Sequence, residues 1–288
     1  LALNFYRGKT VLLPNIRWPE YDLMVLTLYK EIKEYNLIVV NQFNLTGLKK
    51  IFDQTTEKEI FIVINDPAHN PTGYSLTVSE HREFIELVNS FETKLKINVL
   101  YDLAYLDFGE LNFQQEVMPL LQLYSFNTNI YLAFSGSKSF GVYGLRMGAL
   151  IFLSRNLSTV EEFKHLTAKK AGAIYGAPNS LSVLLLNSIS NSLPELIVER
   201  QRAKRILAKR SGLLVSLLKK QGISYYPYKS GFFLTIKTTN PEKLKSSLKA
   251  DKIYVVPTYQ GIRIALSAIN EAEIKRFVNV LSQYKIYL

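Results

Sequence analysis

Ile60-Phe61-Ile62-Val63-Ile64-Asn65-Asp66-Pro67-Ala68-His69-Asn70-Pro71-Thr72-Gly73 is the stretch that decides how this chain folds. Its first five residues form an unbroken apolar run, the pattern of a central parallel strand covered on both faces. The polar residues after it include two prolines and read as a rigid turn at the strand's carboxyl end. A helix is predicted over 77–91, with Ser79 and Glu80 near its start and Phe84, Ile85 and Val88 spaced for one face. Lys96-Ile97-Asn98-Val99-Leu100-Tyr101 is the next strand, and Asp102 stands at its end. Strand alternating with helix predicts an α/β chain with a mostly parallel central sheet and helices on both faces. In such sheets ligands bind beyond the carboxyl ends of the strands.

The pattern extends in both directions. Upstream, Gly8-Lys9-Thr10-Val11-Leu12-Leu13-Pro14 reads as a turn and strand, with Trp18 just past the strand end. Residues 23–34 read as a helix, 37–40 as a buried strand and 45–52 as a helix. Downstream, helices are predicted over 162–173 and 180–188, with a break at Tyr175-Gly176-Ala177-Pro178-Asn179. Residues 193–220 have the length and periodicity of one amphipathic helix that stops at Gly222. Short strands (231–237, 254–256, 261–266) and helices (241–248, 271–284) alternate after it. Residues 1–192 are therefore expected to form a large α/β domain. Residues 193–288 are expected to supply a long linking helix and a smaller C-terminal α+β domain.

Composition narrows the function classes. The 288 residues are 48% hydrophobic, with 18 Tyr and 16 Phe, which argues against disorder. No apolar run reaches the length of a membrane span, and the start is too short in apolar residues for a secretory signal. With no Cys and three scattered His, disulfides, thiolate metal sites and a zinc cluster are excluded. A soluble cytoplasmic protein without membrane or metal is the expectation. The net charge of +11 is spread through helical segments such as Glu199-Arg200-Gln201-Arg202-Ala203-Lys204-Arg205. It reads as a solvated basic surface and not as a nucleic-acid interface.

Ser135-Gly136-Ser137-Lys138-Ser139 follows the β-prone run Ile130-Tyr131-Leu132-Ala133-Phe134, and a second such run begins at Ala149. This places Lys138 on a loop at a strand end, with glycines that let the backbone approach a ligand. Three readings compete. One is a surface turn with an ordinary solvated lysine. Another is a P-loop, which needs Gly immediately before Lys, where Ser137 stands here. The third is a lysine that forms a Schiff base with an aldehyde cofactor, with Arg146 and the serines receiving that cofactor's phosphate.

Taken in order, these pieces resemble the fold-type I, pyridoxal-phosphate-dependent aminotransferases of class I/II. The resemblance is carried by Asn70-Pro71-Thr72-Gly73, by Asp102-Leu103-Ala104-Tyr105, by Ser135-Gly136-Ser137-Lys138 with Arg146, and by Ile262-Arg263-Ile264-Ala265. It implies transfer of an amino group between an amino acid and a 2-oxo acid through a lysine aldimine, in a homodimer. It also implies roles. Lys138 would hold pyridoxal 5'-phosphate and then shuttle a proton. Asp102 would pair with the pyridine nitrogen. Tyr105 and Asn70 would donate to the ring's phenolic oxygen, and Trp18 would stack on the ring. Ser135 and Arg146 would bind the phosphate, and Tyr143 would lie nearby. Arg263 and Asn70 would bind the substrate, Arg263 by clamping its carboxylate; the flanks of Arg263 suggest burial, where an arginine needs an anionic partner.

Two departures stand out. Family members carry a further N-terminal part, including a Gly/Ser/Thr loop that opens a phosphate-gripping helix. This sequence lacks it and does not begin with Met, so a fragment is expected. Members selective for dicarboxylic substrates place an arginine where Ala171-Gly172-Ala173 stand here. The alternatives are a carbon–sulfur β-lyase on the same cofactor, or the non-catalytic, aminotransferase-like effector domain of a transcription regulator.

Overall fold

The run that opens at Glu59 forms the middle of a six-stranded sheet and is buried on both sides. Ile60, Ile62 and Ile64 enter one apolar core, while Phe61 and Val63 enter another on the opposite face. That is the period-two alternation of a strand with a layer on each side. The computed structural model describes residues 1–177 and 179–288, with all of their side chains except that of Ser190. The expected break over 175–179 is described on both sides of Pro178, which itself lies outside the described residues.

The chain runs through α1 (Ala2–Phe5), β1 (Thr10–Pro14), α2 (Glu20–Leu26), β2 (Glu31–Tyr35), β3 (Ile38–Val39), β4 (Gln42–Phe43), α3 (Leu45–Gln54) and β5 (Glu59–Asn65). It continues through α4 (Val78–Asn89), β6 (Lys96–Leu103), β7 (Thr128–Ser135), α5 (Gly136–Ser139), β8 (Gly148–Leu153), α6 (Leu157–Tyr175), α7 (Ser180–Asn191) and α8 (Leu193–Gln221). The last elements are β9 (Phe233–Lys237), α9 (Pro241–Ala250), β10 (Val256–Thr258), β11 (Gly261–Ala265) and α10 (Glu271–Leu281). The large sheet has the order β2-β1-β5-β6-β7-β8. All neighbours are parallel except β8, which runs antiparallel to β7. Helices α3 and α4 cover one face, and α1, α2 and α6 cover the other.

A three-stranded antiparallel sheet, ordered β10-β11-β9, packs with α8, α9 and α10 around a second core. Phe108, from the segment after β6, also enters that core. Helix α8 ends at Gly222, whose φ of 67° gives the left-handed cap. No single helix among the described residues is long and apolar enough to cross a membrane.

The structure corrects two expectations. The helix predicted over 23–34 is α2 alone, which begins earlier and stops at Leu26; residues 31–35 are the edge strand β2, paired with β1. Tyr29 takes φ 55°, and the Lys30 ammonium donates to the carbonyls of Tyr6 and Gly8, so the chain turns out of the helix into the sheet. An edge strand exposes polar side chains, and here they imitate a helix's solvated face. The buried strand expected at 37–40 is half of the small hairpin β3–β4. Val40 and Asn41 form its turn with φ of 50° and 63°, and Val40 is 87% exposed.

Candidate active site

Four parallel strands deliver their carboxyl ends to one edge of the sheet. In the register Asn65 lies opposite Asp102, and Asp102 opposite Ala133. The turns beyond these ends close on a cavity of about 480 Å³, lined by Trp18, Asn70, Asp102, Tyr105, Ser135, Lys138, Tyr143, Arg146 and Arg263. Every residue singled out from the sequence therefore reaches one cavity. Leu13, Phe61, Val63 and Leu100 contribute apolar surface from the sheet itself.

Asp102 is anchored. Its Oδ2 accepts from the Tyr21 hydroxyl, and its Oδ1 accepts from the Ala104 N–H at 3.0 Å. Burial pushes its carboxyl up, and those two donors pull it back toward the ionised form. Neighbouring Tyr105 is buried against Phe232 and Phe233. Its hydroxyl is pushed up, first by burial and then by the Asp102 charge. Trp18 is half-buried and meets Tyr21 edge-on, 5.5 Å between ring centres. The start of α2 is fixed by Arg17, which donates to the Pro14 carbonyl (2.8 Å), Glu34 (2.7 Å) and Asp22 (2.6 and 3.0 Å).

Lys138 lies in the single-turn helix α5 and not on an open loop, because the Ser135 hydroxyl caps that turn by accepting from the Ser137 N–H at 3.3 Å. Its ammonium sits 4.2 Å from the centre of the Tyr143 ring, and the Arg146 guanidinium lies 5.0 Å from the same centre. Burial, and then the Arg146 charge, lower the lysine's pKa, which raises its share of free amine near neutral pH. Arg146 has φ 51° and donates to the Tyr143 carbonyl at 3.2 Å. Arg263 is half-buried, with its Nη1 donating to Asn70 Oδ1 at 3.0 Å and its guanidinium 4.4 Å from the centre of the Phe233 ring. The anionic partner expected for it from sequence is instead this neutral amide, and its Nε is buried without a hydrogen bond. Among the described residues, none of Lys138, Arg146 and Arg263 is in an ion pair with a carboxylate. A cavity with three unpaired cations on its lining is chemically suited to an anionic guest.

The description "Aminotransferase class I and II" matches residues 1–281. The chain belongs to that family. Among related class I and II aminotransferases, the mitochondrial aspartate aminotransferase of Dictyostelium discoideum is 25% identical, over 97% of this chain and 66% of its own length. The aromatic-amino-acid aminotransferase of Pseudomonas aeruginosa is 22% identical, over 73% of this chain and 52% of its own length. The chain thus spans between about half and two-thirds of these relatives' length. The crystal structure of an aminotransferase from Anaerococcus prevotii superposes with a TM-score of 0.93 at 26% identity, covering 98% of this chain and 71% of that one. An aromatic-amino-acid aminotransferase from Burkholderia pseudomallei, covalently bound to pyridoxal phosphate, shares the fold with a TM-score of 0.78 at 21% identity, over 96% of this chain and 69% of that one.

Sequence reasoning missed Tyr21 and Arg17. Starting the helix at residue 23 left Tyr21 outside it. With α2 starting at Glu20, Tyr21 falls in its first turn, where it can meet both Trp18 and Asp102.

Proposed function

We propose that the full-length protein is a pyridoxal 5'-phosphate-dependent aminotransferase that exchanges an amino group between an amino acid and a 2-oxo acid. The observation that supports this best is the shared cavity: a fixed carboxylate, a lysine with lowered pKa and two further cations without carboxylate partners line it together. These groups fit the cofactor. The buried, unbonded Nε of Arg263 and the unpaired Lys138 and Arg146 are the donors that an anionic cofactor and a carboxylate substrate would use. When bound, pyridoxal phosphate supplies a carbonyl for amine attack and a ring that delocalises negative charge from the substrate Cα.

Lys138 is the residue that would hold it, and the amine, once released, would carry a proton to and from Cα. Asp102 would hold the positive charge on the ring nitrogen. Asn70 spends its side-chain oxygen on Arg263, which leaves its amide N–H groups, with the Tyr105 hydroxyl, to donate to the ring's phenolic oxygen. Trp18 would cover the ring face, Arg146 and Ser135 would bind the phosphate, and Arg263 would take the substrate α-carboxylate. In this reading residues 1–192 form the cofactor-binding domain, and residues 193–288 form the linking helix and small domain. The protein would work as a homodimer; the outward apolar face of α7, with Leu181, Val183 and Leu184 between 54% and 66% exposed, supports a covering partner.

The test is the full-length protein with pyridoxal phosphate, a panel of amino acids and a 2-oxo acid acceptor. The expected result is a new amino acid formed from the acceptor. Pyruvate and ammonia released from cystathionine without any acceptor would replace this reading with the β-lyase. No reaction with any amino acid would reject both.

A further inference from the structure

We propose that Tyr21 is a positioning residue for the cofactor ring: its hydroxyl holds Asp102 as a turned, ionised carboxylate, ready for the positive charge on the ring nitrogen. The inference rests on the functional reading above. It goes beyond it by giving Asp102's charge state a cause in this chain's own residues.

Asp102 stands beside apolar cavity surface, where a lone carboxyl favours its neutral form. An uncharged acid would offer a weaker, charge-free contact to the ring nitrogen. Two donors oppose this. The Ala104 N–H is backbone and is supplied by the turn after β6 whatever the side chains. The Tyr21 hydroxyl is the one side-chain donor to the carboxylate among the described residues. Tyr21 is itself 7% exposed, so a hydroxyl without a partner there would be costly, and the pair is mutually enforced. A phenol donating to a carboxylate is charge-assisted, and such bonds are stronger than neutral ones.

The placement is built and not incidental. Arg17 ties the first turn of α2 to the end of β1 and to β2, and the Tyr21 ring rests edge-on against Trp18. The hydroxyl therefore arrives on a rigid element, which a group that must hold another in place requires. The other ionisable groups facing the pair are Tyr35 and Tyr105, with Lys138, Arg146 and Arg263 around the same cavity. Burial keeps both tyrosines neutral. None of these groups donates a hydrogen bond to Asp102 among the described residues.

The experiment uses the full-length protein labelled with 13C at the aspartate carboxyl carbon and stripped of cofactor. The Asp102 resonance is assigned with Asp102→Asn and followed against pH in wild type and in Tyr21→Phe, which keeps the ring packing on Trp18. In Tyr21→Phe the carboxyl is expected to take up its proton at higher pH than in wild type. Pyridoxal phosphate should bind about tenfold more weakly, with the acid limb of its Kd profile moved to higher pH in step. In an Asp102→Asn background, Tyr21→Phe should add no further loss, because the two residues act as a unit. An unchanged Asp102 titration in Tyr21→Phe overturns the proposal and leaves the functional reading standing. So does an equal loss of affinity in both backgrounds. A wild-type protein that takes up no pyridoxal phosphate overturns the functional reading, and this proposal with it.

Discussion

Asp102 and Lys138 line the same cavity, yet the walls that carry them are built differently. On the Asp102 side nearly every polar group of the neighbouring turn is tied. Asn65 Nδ2 donates to the Asp102 carbonyl (3.0 Å), the Asn70 N–H to Asn65 Oδ1 (2.8 Å), and the Leu76 N–H to Asp66 Oδ1 (2.7 Å). The Thr235 hydroxyl donates to the Pro71 carbonyl (2.7 Å), and the Lys229 and Ser230 N–H groups donate to the Gly73 carbonyl. Gly73 has φ 72°, and a Cβ there would strike the Tyr228 ring at 2.2 Å, so close approach of the second sheet's segment requires glycine. On the Lys138 side the ammonium makes no hydrogen bond or ion pair among the described residues and shares one exposed tyrosine ring with Arg146. Folding fixes the acid wall in place, whereas the cationic wall keeps its charges for what binds.

That contrast predicts a split between activity and stability. The largest effect is expected for Lys138→Ala, which should lower turnover by up to about 10⁴-fold. Its unfolding free energy should stay within about 0.5 kcal/mol of wild type, since no folded-state hydrogen bond is lost. Denaturant melts alongside steady-state rates measure both; a large loss of stability would break the contrast. Arg263→Ala comes next, weakening amino-acid binding by about 2–5 kcal/mol. Substrate titrations that show unchanged affinity would remove Arg263 as the carboxylate clamp.

The acid wall should also reveal itself through pH. His69 is 3% exposed, and burial pulls its imidazole down to about 3 from 6.5. Below 6.5 the unfolded chain takes up a proton that the folded chain does not, so stability falls as pH drops from 6.5 to about 3 and this contribution levels off below that. The loss should be on the order of 3 kcal/mol by pH 4. Urea melts of His69→Gln across this range should lack that part of the slope, and parallel slopes would contradict the assignment. The smallest effect is on the Asp102 side itself. Asp102→Ala leaves the buried Tyr21 hydroxyl without its acceptor and should cost about 1–3 kcal/mol in calorimetry. A variant as stable as wild type would show that the acid wall is not held by that bond.

The sequence was most readable where chemistry and secondary structure coincide. The run 60–64 announces a strand buried on both faces, and the turns after β5, β6 and β7 announce the side chains that line the cavity, because strand ends are where ligand-facing groups are carried. It was least readable at the edge of the sheet. β2 has one strand neighbour and a solvated side, so its pattern mimics a helix. The β3–β4 hairpin puts apolar Val39 and Val40 at an exposed turn. The same misplacement hid Tyr21, whose contact with Asp102 spans 81 positions and follows only once α2 is seated on the sheet. The neutral partner of Arg263 was hidden for a similar reason: Asn70 lies 193 positions away, and the folded register alone brings them together.

The central claim is that Lys138 is the amine to which pyridoxal phosphate attaches. Loading the full-length protein with the cofactor, reducing with borohydride and mapping the peptides by mass spectrometry tests it directly. The account predicts a single pyridoxyl-phosphate group on Lys138. A label on any other lysine, or no label after loading, would contradict it.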